Sequence, residues 1–340
     1  MNRTIVIAEA GVNHDGSLDV AFRLVDAAKA AGADYVKFQT FKAEKLVSKS
    51  AQKAEYQLKN LTSGDNSQYS MLKKLELSEA DHYQLLDYCQ ERDIRFLSTG
   101  FDTESLEFLA SLGVTLCKVP SGEITNLPYL RKAASLFKDI IISTGMAELS
   151  EVRDAVQVFV EAGISTDSIT VLHCNTEYPT PMQDVNLKAM LQLREELGVN
   201  TGYSDHTLGI EVPIAAVALG AVVIEKHFTL DKNAEGPDHK ASLDPKELKS
   251  MIESIRNIEV ALSGSGVKSP SNSERKNIAN ARKSIHLKGP VKKGRILSEE
   301  DLIMLRPGDG ISPFDMDRII GKVVKSDLPE LHKLAWTDLI

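Results

Sequence analysis

Short apolar runs alternate with longer stretches of helical period from residue 5 to residue 262. The runs are Ile5–Glu9, Tyr35–Gln39, Ile94–Thr99, Thr115–Glu123, Ile140–Thr144, Ile169–Cys174, Asn200–His206 and Ala221–His227. Each is followed by a stretch in which apolar residues recur at helical spacing, and eight such units in series predict a parallel (β/α)8 TIM barrel. Five of the helical stretches stop on a glycine just before the next run, at Gly32, Gly113, Gly163, Gly198 and Gly220, where a left-handed residue ends a helix at little cost. Ser78-Glu79-Ala80-Asp81 reads as a capping box opening a helix that runs to Arg92, and Asp244-Pro245 opens the last barrel helix.

Two segments break this rhythm. Residues 41–77 are too long for an ordinary strand-to-helix loop and are rich in Lys, Gln, Ser and Asn. They read as a lid or substrate wall, or as a solvated excursion with a short helix of its own. After Leu262 comes a Gly/Ser/Pro run through Ser273, the composition of a linker. From Arg282 the chain changes character, with strand-like pieces SIHLKG (284–289) and KVVKSDL (322–328) and tight turns VKKGRIL (291–297) and RPGDGIS (306–312). The expected organisation is a barrel over 1–262, a linker over 263–281, and a small β-rich domain over 282–340. A domain of about 60 residues supports only a marginal core, so it is expected to lean on another surface, which favours an oligomer.

Composition narrows the setting. The chain has no run of about 18 apolar residues and enters its first strand without a basic segment and apolar signal region, so a soluble cytoplasmic protein is expected. Cys89, Cys117 and Cys174 have no metal-finger spacing and are read as reduced; Cys174, at a strand end, is read as a packed core thiol, with a contact of the site as the alternative. The net charge is −8, and residues 1–281 carry 29 Lys+Arg against 39 Asp+Glu. That balance argues against nucleic acid, and it requires a local cationic cluster for any anionic ligand.

Such a cluster stands at the strand ends. Glu9, Lys37, Gln39, Thr99, Lys118, Ser121, Ser143, His173, Ser204, His206, Lys226 and His227 all lie where an apolar run stops, and in a barrel those ends open on one face. Lys37 and Lys118 with the hydroxyls of Ser121, Ser143 and Ser204 suit phosphate and carboxylate. Each alone has a structural alternative, since a lysine can pair on the barrel floor and a serine can cap a helix; the set on one face points to a ligand. In Lys118-Val-Pro-Ser-Gly-Glu123 the Pro and Gly bend the chain just after the strand, so Lys118 and Ser121 can address one ligand. His206 and His227 end neighbouring strands and, with Glu9 nearby, suit a divalent metal with open positions. His173 is either a hydrogen-bonded core histidine or a substrate contact, and His14 on its tight loop is read as orienting the site. Phosphoester hydrolysis, an aldol-type condensation with a phosphorylated nucleophile, and a metal-dependent aldolase all remain open on these residues.

Seven segments taken together resemble the bacterial sialic acid synthase family: IAEAGVNHDG (7–16), VKFQT (36–40), KVPSGE (118–123), STGM (143–146), LHCNTEYPTP (172–181), GYSDHT (202–207) and IEKHFT (224–229). The resemblance covers nearly the whole chain, and the stretch from Arg282 with LRPGDG (305–310) looks like that family's antifreeze-like (SAF) domain. It implies condensation of phosphoenolpyruvate with an N-acylated amino-hexose to a nine-carbon 2-keto acid, with release of phosphate. Lys37, Thr99, Lys118, Ser121, Ser143, Ser204 and, at most through its hydroxyl, Thr176 would then hold phosphoenolpyruvate. His206 and His227 would hold Mn²⁺ or Mg²⁺, Glu123 would handle protons near the enol, and Glu9, Gln39, Tyr178 and Asp238 would position the sugar or a metal-bound water. The resemblance also implies a domain-swapped homodimer in which Arg306 meets the sugar's N-acyl group in the partner's barrel. Two departures stand out: Gly100 where many members have Pro, and Asn175-Thr176 where several have Thr followed by Asn or Ser. Within the family, residues 54–59, 175–178 and 231–242 look most like the legionaminic acid synthases, which use 2,4-diacetamido-2,4,6-trideoxymannose, and Tyr56 and Leu58 would supply an apolar wall for it. N-acetylmannosamine is the alternative sugar. A metabolite-sensing barrel without turnover and a metal aldolase running toward cleavage are the rival functions.

Overall fold

The computed structural model describes residues 3–60 and 66–340, apart from the side chains of Tyr56 and Lys59. The chain divides into two compact units, 1–263 and 264–340.

The first unit is an eight-stranded parallel sheet wrapped by helices. Its strands are β1 (Ile5–Gly11), β2 (Tyr35–Thr40), β3 (Arg95–Gly100), β4 (Leu116–Val119), β5 (Asp139–Ser143), β6 (Ile169–Cys174), β7 (Asn200–Asp205) and β8 (Val223–His227). They pair in the order β3-β2-β1-β8-β7-β6-β5-β4, and β3 lies beside β4 where the sheet closes. The (β/α)8 barrel expected from the alternating runs is therefore present, and the five helix-stopping glycines all take positive φ. The Ser78–Asp81 capping box forms on the helix Glu79–Glu91, and Pro245 opens the helix Pro245–Leu262.

Side chains alternate across each strand with a period of two, and that period sorts the barrel into layers. Ile7, Leu97, Ile141, Leu172 and Val223 point inward and plug the barrel floor. Their neighbours Val6, Ala8, Val36, Phe38, Ile140, Ile142, Val171 and Ile224 point outward into the helices. At Gly202 a Cβ would stand 2.3 Å from the carbonyl oxygen of Val223 and 2.7 Å from Leu172 Cδ2, so only glycine lets β7 and β8 close over this floor. Two residues beyond the floor, the same inward period presents Glu9, Thr99, Ser143, Cys174 and Glu225.

The alternation also corrects the expectation for Lys226 and decides between the two readings of His173. Lys226 follows Glu225 and so points outward, where it donates to Asp205 at 2.5 Å and to the carbonyl of Thr207, fully buried. His173 points outward too, donating from Nε2 to the Val185 carbonyl at 2.9 Å beside the Tyr203 ring. It is the hydrogen-bonded core histidine of the two readings.

Residues 41–77 contain the short helices Ala43–Leu46, Glu55–Asn60 and Gln68–Leu75. Phe41, Met71 and Leu75 bury against Val12 of the loop after β1, and Asn60 donates to the Pro237 carbonyl at 2.8 Å. This segment is a packed wall on the barrel mouth.

The second unit has its own apolar core, including Ile285, Leu287, Leu297, Ile319, Val324 and Leu334. Its ladder joins β9 (Ser284–Leu287) to β10 (Leu302–Leu305), antiparallel. The expected second strand piece, 322–328, instead makes isolated bridges, Val323 with Ile296, Val324 with Leu339 and Leu328 with Val291. Val324 and Leu328 are buried and Val323 is half-buried; adjacent Val323 and Val324 turn to different neighbours, which breaks a continuous ladder. Residues 263–281 include two short helices, Asn272–Arg275 and Ile278–Ala281. Among the described residues no helix is long and apolar enough to cross a membrane.

The Asp205–Lys226 pair generates a stability test. Lys226→Met would leave a buried carboxylate without its counter-charge, and a loss of about 3–5 kcal/mol is expected, read as a lower urea midpoint with unchanged slope.

Candidate active site

The mouth of the barrel holds a cavity of about 530 Å³ lined from all sides by inward strand-end residues and by the 41–77 wall. At its base lies a layer of four buried charges. Lys37 Nζ stands 2.8 Å from Glu9 Oε2 and 3.6 Å from Glu225 Oε2, and donates to Thr99 Oγ1 at 2.9 Å. Lys118 Nζ stands 3.5 Å from Glu225 Oε1 and donates to Ser143 Oγ at 2.7 Å. Ser204 donates to Glu225 Oε1 at 3.1 Å, and Gln39 to Glu9 Oε1 at 3.3 Å. Strand register produces this arrangement, because Glu9 pairs with Lys37 on one side and His227 on the other.

The two carboxylates answer this environment differently. Burial pushes Glu9 up to about 7, against the attraction of Lys37. Burial also works to raise Glu225, but Lys118 and Lys37 together hold it below the ordinary carboxylate range. Lys118 is depressed by burial, while Glu225 and Glu9 keep Lys37 above its usual value despite burial. Glu225 is therefore the shared counter-ion of both lysines. It escaped attention in the sequence, where Lys226 and His227 were read as the chemistry of that strand end; counting by two from Val223 would have found it.

Higher in the cavity Ser121, on the 3-10 turn Ser121–Glu123 after Pro120, accepts from the Gly145 amide at 2.9 Å and lies 3.4 Å from Cys174 Sγ. A Cβ at Gly145 would meet Thr176 Cγ2 at 2.5 Å, so this glycine lets Ser121 and Thr176 face the same space. Across from them stand His206, His227 and Tyr178. The two imidazole centroids are 5.3 Å apart, and the Tyr178 ring lies over His206 at 4.0 Å and edge-on to His227 at 5.6 Å.

His206 Nδ1 donates to the Asn175 carbonyl, which leaves Nε2 with a free lone pair. Burial lowers His206 to about 4 and depresses His227 strongly, so both rings are neutral near pH 7. His227 Nδ1 is buried without a hydrogen bond, with Asp238 Oδ2 3.7 Å away. Two neutral imidazoles, one carrying an unsatisfied nitrogen, fit a divalent cation. Among the described residues no group of three or more His, Cys, Asp and Glu side chains is arranged around one point, so further donors would come from water or a ligand.

Of the remaining residues singled out in the sequence, Asp238 is buried and raised to about 6 by that burial. It lines a second cavity of about 300 Å³ beside the first, together with Glu123, Gln39, Tyr178 and His227. Glu123 is absent from the lining of the main cavity; its Oε2 accepts from Asn126, and burial raises its pKa. His14 is fully buried behind the site, accepting at Nδ1 from the Gly16 amide. Arg306 is exposed on the turn after β10 in the second unit. The side chain of Tyr56 lies outside the described residues, and Leu58 is 42% exposed. A larger hollow of about 760 Å³ lies at the opposite strand ends, but Lys29 and Arg3 on its rim are paired with Asp93 and Asp34, so the chemistry belongs to the barrel mouth.

The chain is similar to known proteins over nearly its whole length. The model of the NeuB family matches residues 24–268, and that of the SAF domain matches residues 282–340. The chain is 52% identical over 330 residues to the N,N'-diacetyllegionaminic acid synthase of Campylobacter jejuni, covering 97% of this chain and 98% of that protein. It is 53% identical over 334 residues to the protein of the same name from Legionella pneumophila, covering 97% and 93%. The crystal structure of N-acetylneuraminic acid (sialic acid) synthetase from Leptospira borgpetersenii, in complex with citrate, superposes with a TM-score of 0.71 at 34% identity, covering 82% of this chain and 90% of that one.

Removing Glu225 tests the charge layer. Glu225→Gln leaves both lysines under-compensated, and a stability loss of about 3–5 kcal/mol is expected. Inorganic phosphate should then raise the thermal midpoint of the variant more than that of the wild type, because an added anion takes the place of the lost carboxylate.

Proposed function

The chain belongs to the NeuB family, and we propose that it condenses phosphoenolpyruvate with 2,4-diacetamido-2,4,6-trideoxymannose to give N,N'-diacetyllegionaminate and phosphate. The observation that carries this reading is identity above 50%, over nearly the full length, to two synthases of that name. The buried lysine layer supports it, since a substrate bearing both phosphate and carboxylate needs fixed cations at the end of a deep cavity. The N-acetylneuraminate synthase reading has weaker support, from a relative structure at 34% identity.

On this reading Lys37 and Lys118, with the hydroxyls of Thr99, Ser121, Ser143, Thr176 and Ser204, hold the phosphate and carboxylate of phosphoenolpyruvate. C3 of the enol attacks the aldehyde carbon of the open-chain sugar, forming the new C–C bond, and the aldehyde oxygen takes a proton to become a hydroxyl. Water adds to C2 of the former enol, the C2–O bond to phosphate breaks, and the water's two protons end on the aldehyde-derived oxygen and on the departing phosphate, leaving the ketone. Glu9, raised to about 7 beside Lys37, suits proton transfer at neutral pH. Gln39, Tyr178 and Asp238 flank the sugar; Glu123, expected to handle protons near the enol, stands beside them in the side cavity instead. His206 and His227 would hold Mn²⁺ or Mg²⁺, which supplies Lewis-acid polarisation of a carbonyl when bound. The same reading places the protein in the cytoplasm as a homodimer with exchanged C-terminal units, in which Arg306, exposed on its turn, meets the acyl group of sugar in the partner's barrel.

Phosphate release from phosphoenolpyruvate with Mn²⁺ tests the assignment when product masses are recorded. The trideoxy sugar is expected to exceed N-acetylmannosamine by at least about 10-fold in kcat/KM. The reverse preference would make the protein a neuraminate synthase, and no release with either sugar would remove the condensation reading.

A further inference from the structure

The side cavity has a mixed lining. Gln39, Gln57, Gln68, Tyr178, His227, Glu123 and Asp238 line it with polar groups, and Leu46, Val47, Met71, Leu72 and Leu75 supply aliphatic surface. Gln39, Tyr178 and His227 also line the main cavity, so the two spaces adjoin at these side chains. All five aliphatic residues come from the 41–77 wall. Met71 and Leu75 anchor it, each 8% exposed and packed on Val12 and Phe41, while Leu46 and Leu72 pack against that cluster from its edge.

Five side chains without a strong donor or acceptor beside a sugar site are not explained by binding hydroxyls. A hydroxyl turned toward them would give up its hydrogen bonds to water with nothing in return. A methyl group placed there is removed from water at a gain. We propose that this aliphatic chamber receives a methyl-ended substituent of the amino sugar and makes Leu46, Leu72 and Met71 specificity-determining residues. The inference rests on the condensation reading above and adds to it the part of the substrate that is selected. Two sources of such a methyl exist on the sugar proposed above, the 6-deoxy carbon and the acetyl groups on nitrogen, and the test separates them.

The experiment uses the full-length protein with phosphoenolpyruvate and Mn²⁺. kcat/KM is measured for the trideoxy sugar, its 6-hydroxylated counterpart, and two analogues carrying N-formyl in place of N-acetyl at C2 or at C4. Wild type is expected to favour the methyl-bearing sugar over one of these analogues by on the order of 10- to 100-fold, and that analogue identifies the methyl. Leu72→Asn should shrink the same ratio to within about threefold while KM for phosphoenolpyruvate stays unchanged, and Leu72→Met should restore it. Leu46→Asn provides a second variant. The proposal is overturned if wild type shows no such ratio at any position, or if the ratio survives in both asparagine variants; should neither variant fold, the wild-type ratios alone decide it. Turnover of the trideoxy sugar with flat ratios would leave the condensation reading standing without the chamber, whereas silence with every sugar would remove both.

Discussion

Everything at the barrel mouth is arranged around the need to keep two lysines charged in a dry interior. An isolated ammonium there would lose its proton or distort the fold. Glu225 prevents this by standing between Lys37 and Lys118 at 3.6 and 3.5 Å, and Glu9 completes the balance on the Lys37 side at 2.8 Å. Because Glu9 engages one lysine and Glu225 two, only Glu9 is pushed into the neutral range. The layer is thus compensated enough to fold, yet holds one carboxyl that can give or take a proton when an anion arrives.

His206, His227 and Tyr178 stand on the next level outward. β1 and β8 place Glu9 opposite His227, so one step of strand geometry sets the distance between the charge layer and the imidazoles. Tyr178 packs on both rings and links them to the side cavity. The 41–77 wall then closes that cavity with aliphatic side chains. The site thus carries fixed charge at its deep end, and in the side cavity aliphatic side chains of the wall stand beside Gln57, Gln68, Glu123 and Asp238.

Much of this was legible in the chain because a parallel barrel repeats one signal eight times. The runs, their glycine stops and the polar residues that end them located the fold and most of the mouth. Strand ends alone do not say which side chains face inward, and so they leave His173 between two readings, group Lys226 with the mouth it turns away from, and give no sign of Glu225. The β10 strand was missed because Leu302–Leu305 is a short apolar run behind an acidic turn, whereas 322–328 carries more β-branched residues but makes only isolated bridges. The apolar wall was masked by its surroundings, since Leu46, Met71, Leu72 and Leu75 are scattered among Lys, Gln and Ser and meet only when the segment folds. Roles for Tyr178, Asp238 and Arg306 came from family resemblance, as nothing in their local spacing marks them.

The most direct test of the central claim is the equilibrium affinity for phosphoenolpyruvate in the absence of sugar and metal, measured by calorimetry for wild type, Lys37→Met, Lys118→Met and His206→Ala. If the lysine layer is the anion seat, each lysine variant should bind at least about 10-fold more weakly, the scale of a lost charged hydrogen bond, while His206→Ala stays near wild type. Wild-type affinity in both lysine variants would contradict the account.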